Sequence, residues 1–463
     1  MSTLQQSVNY TTTIPQVSGL PVLGVLPQLL GSDPFEYLKN IMLKYGEFVA
    51  LKFGPLTVYL VSNPDYLQYI LRDNNQNFEK PEMLYRVMRK FIGNGLVTSS
   101  GDFWLRQRRM IQPHLHRKQL PLLYNNMVSA ITSMLDSWEL RAANGEVFDL
   151  QIEMSQITME VILRTMFGTD MCSEQEMKTV SEMMPILVGY IGQNGFFGFL
   201  PEWMPFPGDK RFEYAYKTVH EIVSRLIARC REHGDKASGL IKMLLNTVDE
   251  ATNEQMTDQQ LFDEAMTIFA AGFETTASVL SWLWVVLDRH PEVAAKLKTE
   301  VDSVVGDRVP EFEDLTKLEY GRKVFLELMR FYTIGPMLPR RAKEDTSFGD
   351  YRVPAKSFVL MFFHGVHHNP RCWDEPERFD PERFSEEQVS QRHPFAYLPF
   401  SGGPRKCAGD DFALMEGPLA IAMILQRYSV ELLPGQDFSH RMAVTMRPHN
   451  GVKARMKVRA KGN

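Results

Sequence analysis

Between Ala265 and Leu287 the chain runs through a long apolar stretch that carries a single charge, Glu274. A helix over this stretch is apolar on nearly every face, so it has to be surrounded by protein, as in the centre of a large domain. Glu274 then needs a reason, because a carboxyl group in such a setting is costly without a partner or a task. The rest of the chain can supply the surrounding mass. Its 463 residues are 44% hydrophobic and 23% charged, with no compositional mark of disorder. Length alone suggests two or three domains, yet no Gly/Ser linker, repeat or low-complexity tract divides the middle of the chain. The expected organisation is an extended arm over 1–18 followed by one large domain over 19–463.

Several function classes drop out on composition. Cys172, Cys230, Cys372 and Cys407 are too few and too scattered for a disulfide framework, and no C-x-x-C pair suggests zinc. That usage fits a reducing, cytoplasmic setting. A net charge of −5 argues against nucleic acid as a partner. The N-terminus lacks the basic region and apolar core of a signal peptide. An uncharged run from Met183 to Pro201 raises the membrane question, but Gln193, Asn194, four glycines and Pro185 favour a water-soluble reading without a transmembrane anchor.

The segment from Ile14 to Pro27 is broken too often by Pro and Gly for a regular element and reads as an extended entry arm. Phe48–Phe53 and Thr57–Val61 read as strands joined at Gly54-Pro55, a hairpin signal. From Gly101 to Lys298 apolar residues recur at three- and four-residue spacing, notably over Met127–Leu140, Glu153–Met166 and Tyr216–Arg229, which predicts helices. Short strands are expected after Pro339, and a final helix over Asp410–Tyr428. The predicted class is mainly α with a minor β region.

Phe400-Ser-Gly-Gly-Pro-Arg-Lys-Cys407-Ala-Gly409 carries the chemistry. Cys407 sits just before the predicted final helix, whose N-terminal partial positive charge and backbone N–H groups favour a thiolate. Gly402, Gly403 and Gly409 let the backbone turn tightly and approach a flat cofactor. Arg405 has the reach and the fork to hold a carboxylate. The other three cysteines lack such neighbours and read as buried small hydrophobes.

The pattern F-x-x-G-x-R-x-C-x-G is similar to the haem-binding signature of cytochromes P450 at every fixed position, and Phe412-Ala-Leu-Met-Glu416 continues it. The resemblance covers roughly Gly19 to Gly451. It implies a cytochrome P450-like fold with the apolar helix over the haem, Cys407 as the iron ligand of haem b (iron protoporphyrin IX), and Phe400, Arg405 and Gly409 in the cofactor loop. Ala271-Gly-Phe-Glu-Thr-Thr276 resembles the family's oxygen-activation motif, which implies catalytic roles for Glu274 and Thr275 in moving protons. Trp104-Leu-Arg-Gln-Arg108 resembles the helix whose Trp and Arg contact the haem propionates, and Arg341 matches another propionate arginine. Three Glu-x-x-Arg spacings occur, at Glu319/Arg322, Glu327/Arg330 and Glu375/Arg378. Glu327/Arg330 closes an apolar helical run and is taken as the structural pair, with Arg383 of Asp380-Pro-Glu-Arg-Phe384 as its third member.

By family position the substrate pocket would be lined by Met83, Val87, Phe91, Phe196 and Phe197. Phe269, Ala271, Ile334 and Leu338 would complete it. Thr333-Ile334 stands where many relatives have two prolines, and Ala408 replaces a commonly larger apolar residue, so substrate identity does not transfer. The resemblance implies a monooxygenase that inserts one oxygen atom from O2 into a hydrophobic small molecule: a fatty acid, a terpenoid or a polyketide-like compound. With no flavin or nicotinamide region in the chain, electrons would come from a ferredoxin or flavodoxin with its NAD(P)H-dependent reductase, and the protein would act as a monomer. The basic cluster Arg106, Arg108, Arg109, Arg117 and Lys118 reads either as a docking face for an acidic donor or as a solvated surface. A haem-thiolate peroxygenase or isomerase and a non-catalytic haem sensor are the alternative functions. The Glu274-Thr275 pair speaks against the first, and the lack of a recognisable output domain against the second.

Overall fold

The computed structural model describes residues 13–21, 23–31, 33–169, 171–194, 204, 206–442 and 445–459. Its contacts gather into two compact units whose segments interleave along the chain. The smaller takes the described residues up to Pro81, Gly335–Arg378 and Ser390–Lys406; the larger takes Glu82–Ile334, Phe379–Val389 and the residues from Cys407 onward.

The smaller unit is built on a six-stranded sheet of β1 (Gln16–Val17), β2 (Phe48–Phe53), β3 (Leu56–Val61), β4 (Phe78–Glu79), β5 (Met337–Ala342) and β6 (Phe358–Phe362), in the order β1-β2-β3-β6-β5-β4. The predicted hairpin is β2-β3, antiparallel with Val49 opposite Leu60. β6 runs parallel to β3 and antiparallel to β5. One face is sealed by an aromatic cluster in which Phe48 and Tyr66 pack on Phe348, at 5.2 Å and 5.4 Å between ring centroids. The expected extended arm ends earlier than its proline content suggested. A short helix covers Leu26–Gly31, with Pro27 in its first turn, where no N–H is required.

The larger unit is helical. Its elements named below are α1 (Glu82–Ile92), α2 (Gly101–Leu115), α3 (Leu150–Phe167), α4 (Asp258–Arg289), α5 (Glu319–Phe331) and α6 (Asp410–Arg427). The apolar stretch becomes the core of α4, which begins seven residues before it at a Thr257/Gln260 capping box. α4 is the one helix among the described residues long and apolar enough to cross a membrane, but 78% of that apolar window is buried within the protein. It is a core helix. Phe269, Phe273, Trp282 and Leu283 are all at most 1% exposed, each contributing about 1.5–3 kcal/mol of burial. α3 packs closely along α4: Thr158 Oγ1 donates to the Phe273 carbonyl at 3.0 Å, and a Cβ on Gly272 would lie 2.8 Å from Ile162 Cδ1. Gly272 therefore serves helix contact, and α4 passes through it unbroken. A hairpin of β7 (His440–Met442) and β8 (Met446–Pro448) lies against α4.

Candidate active site

Within the larger unit, Cys407 is exposed and stands three residues before α6, whose first turn follows Gly409. None of the four cysteines forms a disulfide. Burial pushes Cys172 up to about 12, and Cys230 and Cys372 each up to about 11, so these thiols stay protonated and inert. Cys407 has a cation in electrostatic reach. Burial pulls the Arg108 guanidinium of α2 below its ordinary pKa, opposed by the negative charges of Cys407 and Asp410. Trp104, one turn before Arg108 on the same helix face, is half-buried. An exposed thiol just before a helix N-terminus, with an arginine in electrostatic reach, is a donor suited to a soft metal such as haem iron.

On α4 the exposure pattern is uneven. Among side chains otherwise enclosed, Ala271 and Thr275 are exposed and Ile268 is half-buried, a stripe at spacings of three and four. Thr275 Oγ1 donates to the Ala271 carbonyl at 2.8 Å. Glu274 is buried and faces elsewhere: its Oε1 accepts from Thr445 Oγ1 at 2.8 Å and pairs with Arg447 Nη1 at 3.4 Å. The two expected relay residues thus have separate partners.

Other groups surround this helix. Glu264 is fully buried and accepts from Leu96 N at 2.9 Å and Gln107 Nε2 at 3.2 Å, while Asp263 accepts from Asn94 N at 2.8 Å. These consecutive acids fasten the loop between α1 and α2. Burial pushes Glu264 up to about 7, opposed by its two hydrogen bonds. Glu416 on α6 is 1% exposed, and neither carboxyl oxygen meets hydrogen-bond geometry with any group among the described residues. Burial pushes it up to about 8, opposed by the nearby Thr276 hydroxyl. Neither Glu264 nor the 445–447 partners of Glu274 were singled out by the sequence. A pair of acids opening an apolar helix is a usable signal for Asp263-Glu264; Thr445 and Arg447 have none, being some 170 residues from their partner.

The Glu-x-x-Arg pairs separate sharply. Glu327 and Arg330 on α5 are wholly buried and bidentate at 2.7 Å and 2.8 Å; Glu327 also accepts from Asp380 N at 2.9 Å, and Arg383 Nε lies 3.6 Å away. Of the basic cluster, Arg109 makes a two-point contact with buried Asp249 at 3.1 Å and 3.0 Å, and Arg106 reaches Asp249 and Glu254. Those two arginines are committed inside the unit, tying a small hairpin to α2. Among the pocket residues of this unit, Val87 and Phe91 on α1, Phe269 and Ile334 are buried, Met83 is half-buried, and Ala271 is exposed. Phe196 and Phe197 lie outside the described residues.

In the smaller unit, Phe400 and Arg405 are half-buried on the loop leading to Cys407. Gly403 has φ +67°, and a Cβ there would fall 1.8 Å from the Leu71 carbonyl oxygen, so only glycine fits this turn. On β5, Arg341 faces Glu79 at 3.9 Å, whereas its neighbour Arg340 is buried on the same side of the strand as Leu338.

The sequence profile of the family described as Cytochrome P450 matches residues 15–453. Cyclooctatin synthase of Streptomyces melanosporofaciens is 32% identical over 436 residues, covering 93% of this chain and 93% of the relative. Cyclooctat-9-en-7-ol 5-monooxygenase of the same organism is 31% identical over 92% of this chain and 91% of its own length. Pentalenene oxygenase of Streptomyces avermitilis is 28% identical over 96% and 97%. Among solved structures, the cytochrome P450DA haem domain superposes with a TM-score of 0.85 at 24% identity, covering 97% of this chain and 98% of that one.

Proposed function

Since the chain belongs to the cytochrome P450 family and is a haem monooxygenase with the fold of that family, we propose that Cys407 is its iron ligand and that its substrate is a terpenoid-like hydrocarbon. The exposed thiol just before α6, in electrostatic reach of Arg108, carries the ligand assignment. By motif match Phe400, Arg405 and Gly409 form the cofactor loop, with Trp104, Arg108 and Arg341 on the propionates; burial makes Arg340 the competitor of Arg341. Glu327, Arg330 and Arg383 brace the fold and take no part in the chemistry.

Bound haem supplies reductive activation of O2; this chain's residues bind substrate and move protons. Thr275 hands a proton outward from the helix and Glu274 is the acid that reloads it, a reading supported by the exposure of Thr275 on α4. The apolar set Met83, Val87, Phe91, Phe269, Ala271, Ile334 and Leu338 favours a hydrocarbon, and the alkene names of the Streptomyces relatives narrow the class. Electrons come from a ferredoxin or flavodoxin with its NAD(P)H-dependent reductase. Arg117 and Lys118 are the docking cations, since Arg106 and Arg109 pair with Asp249 and Arg108 is assigned to the propionates. The protein works as a cytoplasmic monomer.

The reduced protein under carbon monoxide should show the strongly red-shifted Soret band of thiolate ligation, and a histidine-type spectrum would remove Cys407 as ligand. Pentalenene, incubated with the protein, a surrogate ferredoxin, its reductase and NADPH, should gain one oxygen atom in mass. Binding of fatty acids alone, read as a spin-state shift, would overturn the terpenoid assignment. Thr275→Ala should divert electrons into hydrogen peroxide while NADPH consumption persists.

A further inference from the structure

We propose that Thr445 and Arg447 are positioning residues that hold the Glu274 carboxylate on the hairpin side of α4, and that Glu274 leaves them to deliver its proton toward Thr275. The proposal rests on Glu274 being the proton donor proposed above.

Three residues on one face of α4 reach the β7-β8 hairpin. Glu274 Oε1 takes the Thr445 hydroxyl at 2.8 Å and the Arg447 guanidinium at 3.4 Å. One turn on, Ser278 Oγ donates to Thr445 Oγ1 at 3.1 Å. One turn further, Trp282 Nε1 donates to the Met446 carbonyl at 3.0 Å. Residues 274, 278 and 282 share a helix face by their spacing of four. Thr275 lies about 100° around the helix from Glu274 and is bonded to Ala271 instead. The resting carboxylate therefore points along the hairpin, away from the stripe of Ala271 and Thr275.

The hairpin does not depend on Glu274 for its place. Met446 is fixed twice, by Trp282 and by its own N–H donating to the Ile334 carbonyl at 3.1 Å. Thr445 is buried, and the Glu274 side chain is 8% exposed against 23% for Arg447, so the arginine is the member of the group that reaches water. A buried carboxylate needs a counter-charge. At 3.4 Å from a partly solvated guanidinium, that counter-charge is a loose hold. Protonation from the solvent edge, at Oε1, cancels the attraction to Arg447 and releases the side chain. The carboxyl O–H then passes its proton to the Thr275 hydroxyl, directly or through one water, and the carboxylate returns to Arg447. Proton count and charge balance over the cycle: one proton enters from solvent and one leaves toward Thr275.

The infrared C–O stretch of the ferrous carbon monoxide complex senses polar groups near the iron and needs no turnover. Wild type should give one band. Arg447→Gln should add a second, shifted band as the released carboxyl reaches the Thr275 side, Glu274→Gln/Arg447→Gln should lose it again, and Arg447→Lys should keep the wild-type spectrum. A single unshifted band in Arg447→Gln, or a second band that survives in the double variant, overturns the tether. In NADPH turnover with a surrogate ferredoxin and pentalenene, Arg447→Gln and Thr445→Val should at least halve the solvent deuterium effect, with Thr445→Ser close to wild type. An unchanged effect in both variants also overturns it. If Glu274→Gln alone leaves peroxide output unchanged, the donor assignment fails, while the infrared bands still decide the tether.

Discussion

Glu327/Arg330 in the larger unit and Glu375/Arg378 in the smaller have the same spacing in sequence and nearly the same ion-pair distance, 2.7 Å and 2.8 Å. Their surroundings differ completely. Both side chains of the first pair are 0% exposed, and Asp380 and Arg383 close around it; those of the second are 70% and 60% exposed. Water screens the exposed pair and would solvate either partner left alone, whereas the buried pair has exchanged all hydration for its own contacts. What a Glu-x-x-Arg motif does is therefore set by the burial around it.

The strongest way to break this comparison is to remove one charge from each pair. Glu327→Gln should destabilise the protein by about 3–5 kcal/mol in urea unfolding, because Arg330 keeps a buried charge without its counter-ion. A loss below 1 kcal/mol would mean that burial is not what distinguishes the pairs.

Glu416 sharpens it from the other side, as a buried carboxyl with no ion pair among the described residues. Its folded-state pKa of about 8 lies above the ordinary carboxylate value, so the native state holds a proton that the unfolded chain has given up. The stability this contributes is complete at acid pH and declines as pH rises from about 4.5 to about 8, by up to about 1.4 kcal/mol per pH unit. Glu416→Gln should flatten that slope when unfolding curves of the two proteins are subtracted between pH 5 and 8.

Glu264 is intermediate, buried with two hydrogen-bond donors and no cation among its described partners. Raised to about 7, it follows the same sign over a narrower window, losing its contribution as pH climbs from about 4.5 to about 7. Glu264→Ala should cost about 1–3 kcal/mol and speed amide hydrogen exchange at Leu96 while leaving the β2-β3 hairpin unchanged. Smallest of all, Arg378→Ala should alter stability by less than about 0.5 kcal/mol; a larger loss would show that the exposed pair is held more tightly than its solvation allows.

Much of the architecture was readable in advance because it rests on local rules. The 3.6-residue period placed helices over Met127–Leu140, Glu153–Met166 and Tyr216–Arg229, inside the observed Pro121–Ala143, Leu150–Phe167 and Asp209–Glu232. The final helix ends at Arg427, one residue short of its expected limit. The division into two compact units left no trace in composition, because each is assembled from segments far apart in the chain and no linker separates them. The short helix at Leu26–Gly31 escaped notice because Pro27 reads as a breaker unless its place in the first turn is known.

The site divides along the same line. Cys407 with its glycines, the Glu274-Thr275 dipeptide and the apolar face of α4 are contiguous or periodic, so the sequence alone determined the cofactor class and the helix that serves it. Tertiary structure decided which groups those residues meet: Arg447 and Thr445 on Glu274, Asp249 on Arg106 and Arg109, and no cation among the described residues on Glu416. The physical reason is that ligation and periodicity are local constraints on residue type. Charge compensation inside a protein depends on distance and burial, and both are set by chain segments more than a hundred residues apart.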